Sequence, residues 1–307
     1  MLQNRIVYLN GDFLPWEQAT VHMLSHSFSR GSAIFEVLSF HETDAGPAIF
    51  RLDRHIDRLF KSAEFLDMDL PLPREELTEI VSKTVRQNRL REGEIKIMGY
   101  WPQITFGLLP PRKGIDIAVF AVSREEYLNG PEIPARHGVS LCISRWSKLD
   151  PRTVPVEAKA AANYLNGMMA AGDARSRGFD MGVMLDTQGF VAEGATDSIF
   201  LVKDGRLMTP SEGTILKSIT RMSIIQAAKI LDIECLEARL SPDRLLKADE
   251  VFLSCTPVKI MPARQLEERR FSPVPGPLTL AVSKLLGDIV AGRDKRFRSW
   301  LFPIREA

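Results

Sequence analysis

The chain has 307 residues, 45% of them hydrophobic, which suffices for two domains of ordinary size with a core each and excludes a disordered chain. Its 40 Lys plus Arg nearly cancel 39 Asp plus Glu, so no field of one sign points to nucleic acid or an anionic membrane, and a small soluble ligand is expected. The cysteines at 142, 235 and 255 are far apart and form no CxxC pattern, which argues against a disulfide framework or a zinc site.

The first eleven residues lack the basic start and long apolar core of a signal peptide, and no apolar run approaches the roughly 18 residues that span a bilayer. A soluble, cytoplasmic protein is expected. Ile6 to Leu9 and Phe13 to Trp16 flank Asn10-Gly11-Asp12, and Asn-Gly is the strongest short hairpin signal. Strands are predicted at Ala33 to Phe40, Ile95 to Trp101 and Ile115 to Val122. Helical spacing of apolar residues predicts helices at Arg54 to Leu66 and Arg74 to Leu90. Residues 1–123 thus read as a small α+β domain. Residues 124–137, with Gly130, Pro131 and Pro134 and no apolar period, read as a connector. A larger α/β domain follows at 138–307. It holds strand candidates at Val139 to Trp146, Met181 to Leu185, Ile199 to Val202 and Glu250 to Ser254. Its helix candidates are Asn163 to Ser176, Ile219 to Leu231, Pro242 to Lys247 and Leu278 to Ala291. The turns Asp186-Thr187-Gln188-Gly189 and Lys203-Asp204-Gly205 imply antiparallel pairs within it.

Lys159 lies in the small, apolar stretch Val154 to Leu165, where desolvation would favour a neutral amine able to condense with an aldehyde. Ser218 is a good N-cap for a helix whose first amides, Ile219 and Thr220, together with the Thr220 hydroxyl, would bind a phosphate; most helices so capped bind no ligand. Arg58 offers a bidentate grip on phosphate oxygens, with Arg51, Arg54 and Lys61 as competing cations or all of them simply solvated. Glu193, in Ala192-Glu193-Gly194-Ala195, could hold a proton on a heteroaromatic nitrogen, although Glu-Gly-Ala is also an ordinary turn. Ser254-Cys255-Thr256-Pro257 ends a strand, a common place for ligand contacts. His22 and His26 are four apart, but no third ligand stands nearby, and no metal is expected there.

Together these segments resemble the class IV (fold-type IV) pyridoxal 5′-phosphate (PLP) aminotransferases, most closely the branched-chain amino acid aminotransferases. The resemblance runs nearly end to end. It includes Leu9-Asn10-Gly11, His22 to His26, Phe35-Glu36, Phe50-Arg51 with His55 and Arg58, Pro155 to Lys159 with Asn163-Tyr164-Leu165, Ala192 to Ala195, Ile219-Thr220-Arg221, Ala248 to Phe252 and Gly276-Pro277.

It implies the two-domain α+β fold of the D-amino acid aminotransferase type and transfer of an amino group from a branched-chain or other hydrophobic amino acid to 2-oxoglutarate. Lys159 would form the Schiff base and then carry the proton between the substrate's Cα and C4′. Tyr164 would bond the phenolic oxygen and Glu193 the pyridine nitrogen. Arg58, Ile219, Thr220 and Thr256 would hold the phosphate. The resemblance further implies a homodimer, with the turn Thr105 to Pro111 closing over the partner's pocket. D-amino acid or R-amine aminotransferases and aminodeoxychorismate lyases share these features, and a PLP-binding protein without turnover is a further alternative.

Phe35 and three departures from the family pattern mark the expected substrate contacts. The chain reads Ser29-Arg30-Gly31 where a tyrosine usually precedes the glycine, Lys96 where a strand arginine helps orient substrate, and Thr256-Pro257 where a Thr-Ala pair grips the carboxylate with its amides. Proline has no N–H, so one donor is gone, at a cost of about 1.5 to 3 kcal/mol for a bond to a charged group. Arg30 is expected to compensate.

Overall fold

In the computed structural model, residues 2–128 and 137–304 are described. They form two compact units: Met1–Pro131 with Ala158–Ala162 and Asp288–Ala307, and Glu132–Glu157 with Asn163–Gly287.

The first unit opens on the expected hairpin, β1 (Ile6–Leu9) and β2 (Asp12–Pro15). Its turn holds Asn10 and Gly11 at φ 46° and 115°, a pairing of positive values that Asn-Gly tolerates at little cost. A five-residue helix, α1 (His26–Arg30), is capped by Ser25 and ends on Gly31 at φ 67°, where a Cβ would also lie 3.2 Å from that of Ala162. Then come β3 (Ile34–His41), β4 (Ala48–Phe50), α2 (Leu52–Phe65), α3 (Arg74–Gln87), β5 (Gly93–Tyr100), β6 (Asp116–Val122) and α4 (Arg124–Leu128).

Among the described residues the strands form one antiparallel sheet, in the order Leu301–Pro303, β4, β3, β5, β6, β1, β2. Ile56, Leu59 and Ala63 of α2 and Leu77, Val81 and Val85 of α3 are buried in one core with Ile34, Leu38, Ile95 and Ile97 of the sheet. Side chains alternate along a strand, so Phe35 and Val37, paired with Met98 and Lys96, share the opposite face.

Two boundaries depart from the sequence reading, which placed 138–307 in one domain and 124–137 in a connector. Ala158–Ala162 returns to the first unit: the Ala161 amide donates to Ala33 O at 2.7 Å and the Phe35 amide to Lys159 O at 3.0 Å. The final segment returns too, since Leu301–Pro303 pairs with β4. Both are non-local backbone pairings, which leave no periodicity to read. Of the connector, 124–128 is helix α4, and 129–136 lie outside the described residues.

The second unit contains β7 (Val139–Ile143), α5 (Tyr164–Ser176), β8 (Met181–Leu185), β9 (Val191–Gly194), β10 (Ser198–Lys203), β11 (Arg206–Pro210), α6 (Ile219–Ile230), β12 (Cys235–Ala238), α7 (Pro242–Leu246), β13 (Glu250–Ser254), β14 (Met261–Leu266), β15 (Arg269–Arg270) and α8 (Pro277–Val290). The sheet order is β12-β11-β10-β13-β14-β7-β8-β9, with β15 on β14. Both predicted hairpins form, β8 with β9 and β10 with β11, inside a sheet that also has parallel pairs at β11–β12, β14–β7 and β7–β8. Strands and helices mixed in this way give the expected α+β class.

The start of α5 packs so closely on the turn after β9 that a Cβ at Gly167 would stand 2.2 Å from Ala195 O. Gly167→Ala is therefore expected to lower stability by about 1 to 3 kcal/mol, the usual cost of overpacking against rigid backbone, despite alanine's better helix propensity. Urea midpoints of the two proteins check this.

Candidate active site

Lys159 is half-buried between buried Ala158 and Ala160. Its carbonyl is held by the Phe35 amide of β3, and its amide donates to the Ser62 hydroxyl of α2 at 3.0 Å. Two sides of the backbone are thus fixed, which aims the side chain. Its Nζ lies 4.9 Å from the centre of the Phe35 ring, and Lys96 Nζ lies 5.3 Å from the same ring. The structure therefore brings together three of the expected residues, Lys159, Phe35 and Lys96. Desolvation lowers the pKa of the Lys96 amine from its ordinary value.

Beneath Phe35, on the helix-facing side of β3, Glu36 is fully buried. Arg58 Nε and Nη2 each donate to its carboxylate at 2.7 Å, one to each oxygen, and His55 Nδ1 stands 2.7 Å from Oε2. His55, Arg58 and Ser62 recur at intervals of three and four, so one face of α2 serves both Glu36 and the Lys159 backbone. Burial by itself would raise the Glu36 carboxyl, but the Arg58 guanidinium and the His55 bond outweigh it and hold it at about 2. Burial pushes His55 down to about 4 against the pull of Glu36. A neutral ring facing an ionised carboxylate must carry its proton on Nδ1. Arg58, expected at the phosphate, is thus gripped and oriented by a carboxylate that the sequence reading gave no role. A carboxylate, a histidine and an arginine meeting at buried positions of a strand and an amphipathic helix were the available signal.

In the second unit, Glu193 sits in the middle of β9, 7% exposed, with Lys148 Nζ 2.6 Å from its Oε1. Lys148 belongs to no motif and was not singled out. Tyr164, half-buried, is the first residue of α5. The register Ser198↔Ser254 sets the end of β13 beside the turn after β9, where buried Asp197 is bonded by Cys255. Burial raises both the Asp197 carboxyl and the Cys255 thiol. Thr256 and Pro257 follow directly, and the Lys259 ammonium folds back on the Thr256 carbonyl at 2.5 Å.

Ser218 caps α6 as expected, its Oγ accepting from the Arg221 amide at 3.2 Å. The intrahelical ladder does not use the amides of Ile219 and Thr220, and both residues are buried. Arg221, itself buried, ties this helix start to β11 and β12 through Thr209 Oγ1 at 3.2 Å, Pro210 O at 2.7 Å and Glu237 at 2.6 Å.

Arg30 is exposed at the end of α1 and donates from Nη2 to Phe106 O at 3.1 Å. His26 Nε2 bonds Leu108 O of the same loop at 2.9 Å, while His22 accepts from the Leu24 amide at 3.0 Å. The two histidines serve local backbone, and among the described residues no group of three or more His, Cys, Asp or Glu stands together as a metal site.

An amine on a fixed backbone, a buried carboxylate joined to a cation, and a capped helix start with two amides outside the ladder are the groups that a phosphorylated heteroaromatic aldehyde calls for. The family profile for amino-transferase class IV matches residues 33–266, and the chain belongs to the class IV aminotransferases. It is similar to the branched-chain-amino-acid aminotransferase of Salmonella typhimurium, 33% identical over 305 residues and covering 97% of each chain. The branched-chain amino acid aminotransferase of Escherichia coli has a TM-score of 0.93 at 31% identity, covering 98% of this chain and 100% of that one. A thermophile's branched-chain amino acid aminotransferase (T.th.), solved with N-(5′-phosphopyridoxyl)-L-glutamate and with 4-methylvaleric acid, has in both cases a TM-score of 0.93 at 32% identity, covering 99% of this chain and 100% of that one. PLP is the cofactor of this class, and the residues above fit it.

The depressed His55 and Glu36 pKa values imply two acid limbs. Below about 6.5 the unfolded chain protonates His55 while the folded one does not until about 4, so stability is whole above 6.5 and is lost as pH falls through that window. The Glu36 contribution is present above 4.5 and is lost toward 2. Urea midpoints between pH 7 and 4 should fall for the wild type by the equivalent of on the order of 3 kcal/mol, and clearly less for His55→Gln.

Proposed function

We propose that the protein moves the amino group of a branched-chain or other hydrophobic amino acid to 2-oxoglutarate, with Lys159 as the reacting amine. The observation that carries this reading is the setting of Lys159: its Nζ beside the Phe35 ring, next to Lys96, in a chain similar over nearly its whole length to branched-chain aminotransferases. Phe35, Val37 and Met98 on one sheet face suit an apolar donor side chain, and the Lys96 ammonium suits a carboxylate of the acceptor. The two T.th. complexes hold a branched apolar acid and a glutamate adduct, the two side-chain types such a reaction alternates between.

When bound, PLP supplies an aldehyde that captures amines and a ring that stabilises negative charge at the substrate's Cα. Lys159 Nζ carries the proton between Cα and C4′, a task for an amine on a fixed backbone. Tyr164 bonds the phenolic oxygen and Glu193 keeps the ring nitrogen protonated. Arg58, the Ile219 and Thr220 amides, the Thr220 hydroxyl and Thr256 hold the phosphate. Arg30 takes over the carboxylate bond that Pro257 lacks an N–H to make.

A cytoplasmic homodimer completes the reading. Phe106, Leu108 and Leu109 are 83%, 79% and 79% exposed on one loop, a patch that suits a protein partner. Among the described residues no helix is long and apolar enough to cross a membrane, and all three cysteines are free thiols, which suits a reducing compartment.

The purified protein's visible absorption, followed while single L- and D-amino acids are added, tests the donor class: bleaching by L-valine, L-leucine or L-isoleucine supports the reading, whereas bleaching by D-amino acids alone, or pyruvate release without an acceptor, points to the other members of the class. Lys159→Ala should lose transamination by at least about a thousandfold while keeping its fold, the scale for removing a covalent catalyst and its proton transfer together. Arg30→Ala should raise the KM of the best donor about tenfold or more with PLP content unchanged, as expected for one lost bond to a carboxylate. An unchanged KM would release Arg30 from substrate binding and leave it the loop contact with Phe106.

A further inference from the structure

The ion pair between Lys148 and Glu193 sits in the interior of the second unit, with both side chains about nine-tenths buried and 2.6 Å between Nζ and Oε1. Burying two charges for stability alone is a poor bargain, since an apolar pair of similar volume does as well or better. The backbone around Lys148 is nevertheless fixed on three sides. Its own amide donates to Leu185 O at 2.7 Å, continuing the run along β8 that Ser144 begins on Val183 O. Asn166 of α5 clasps both neighbours, donating to Ser147 O at 2.9 Å and accepting from the Leu149 amide at 3.2 Å. β8 lies between this segment and β9, so the two residues stand about two strand spacings, roughly 10 Å, apart, and only a long stem reaches.

Glu193 also feels a second carboxylate, Asp197, whose own carboxyl is raised by burial and by Glu193. Take the ammonium away, and Glu193 is a buried carboxylate beside another, the situation in which a carboxyl keeps its proton. A protonated Glu193 can donate to a pyridine nitrogen but cannot hold a proton on it.

We propose that Lys148 is a positioning residue that keeps Glu193 ionised and turned, so that the single proton shared between Glu193 and the ring nitrogen stays on the nitrogen. The inference rests on Glu193 being that nitrogen's partner. With Oε1 engaged by Lys148, Oε2 is the oxygen that meets the ring. The ammonium lies closer to the carboxylate than to anything beyond it, so it favours carboxylate with N–H⁺ over carboxylic acid with N. No bond other than that N–H or O–H changes.

The test is the ¹⁵N chemical shift of the ring nitrogen in holoenzyme reconstituted with ¹⁵N-labelled PLP. Wild type and Lys148→Arg should show the protonated pyridinium shift, while Lys148→Met and the polar variant Lys148→Gln should move to the neutral pyridine shift; either neutral variant that folds decides the point. Glu193→Gln is the control for the underlying reading and should also become neutral. If Glu193→Gln loses the pyridinium shift but both Lys148→Met and Lys148→Gln retain it, the role of Lys148 is overturned while that of Glu193 stands. If Glu193→Gln keeps the pyridinium shift, the partner assignment itself fails and this inference with it. A purely structural Lys148 would lower the melting temperature without moving the shift.

Discussion

The hydrogen bonds that lay Ala158–Ala162 against the start of β3 are the constraint on which the catalytic part of the molecule depends. Phe35 N to Lys159 O, Ala161 N to Ala33 O and Ala162 N to Gly31 O leave the lysine backbone no freedom, and Ser62 closes the remaining side. A Schiff-base amine has to approach one carbon from one direction, and a long side chain on a loose loop could not do so reproducibly. Gly31 matters for the same reason: its left-handed turn and missing Cβ let α1 end where the returning segment passes.

Each unit contains a buried carboxylate that is paired with a cation, and the two serve different ends. Glu36 is ringed by Arg58 and His55, and its value of about 2 reflects how strongly those partners outweigh burial. Its effect is to fix a guanidinium that a phosphate needs preoriented, because an arginine must otherwise lose rotamer entropy on binding. Glu193 has a single ammonium beside it and another acid nearby, so its ionisation hangs on one partner. In the first case the carboxylate positions the cation, and in the second the cation positions the carboxylate.

The substrate side is where the chain departs from its family pattern. Pro257 removes a donor at the end of β13, Lys96 replaces a planar fork by a point charge, and Arg30 puts a cation at the end of a short helix. Lysine holds a carboxylate with less directional demand than arginine, so the site around Phe35 can admit carboxylates in more than one orientation. That suits an enzyme which must accept an apolar side chain and a carboxylate-bearing one in alternation.

Local pattern was enough to determine the α+β class, the Asn-Gly hairpin, α2, α3 and α5 to α8 to within two or three residues, and the Ser218 cap, because apolar period, turn residues and capping residues act over a few positions. The family motifs similarly placed Lys159, Glu193 and the α6 start in the chain. Short β4, β11, β12 and β14 had too few residues for a period to show. The return of Ala158–Ala162 and of Leu301–Pro303 to the first sheet, the clasp of Glu36 on Arg58 and His55, and the reach of Lys148 across β8 to Glu193 were decided by tertiary structure alone. Each joins residues far apart in the chain, from 19 positions between Glu36 and His55 to the strand that pairs Leu301 with Phe50, through backbone hydrogen bonds or buried charge. Such pairings become favourable only once the surrounding core has excluded water.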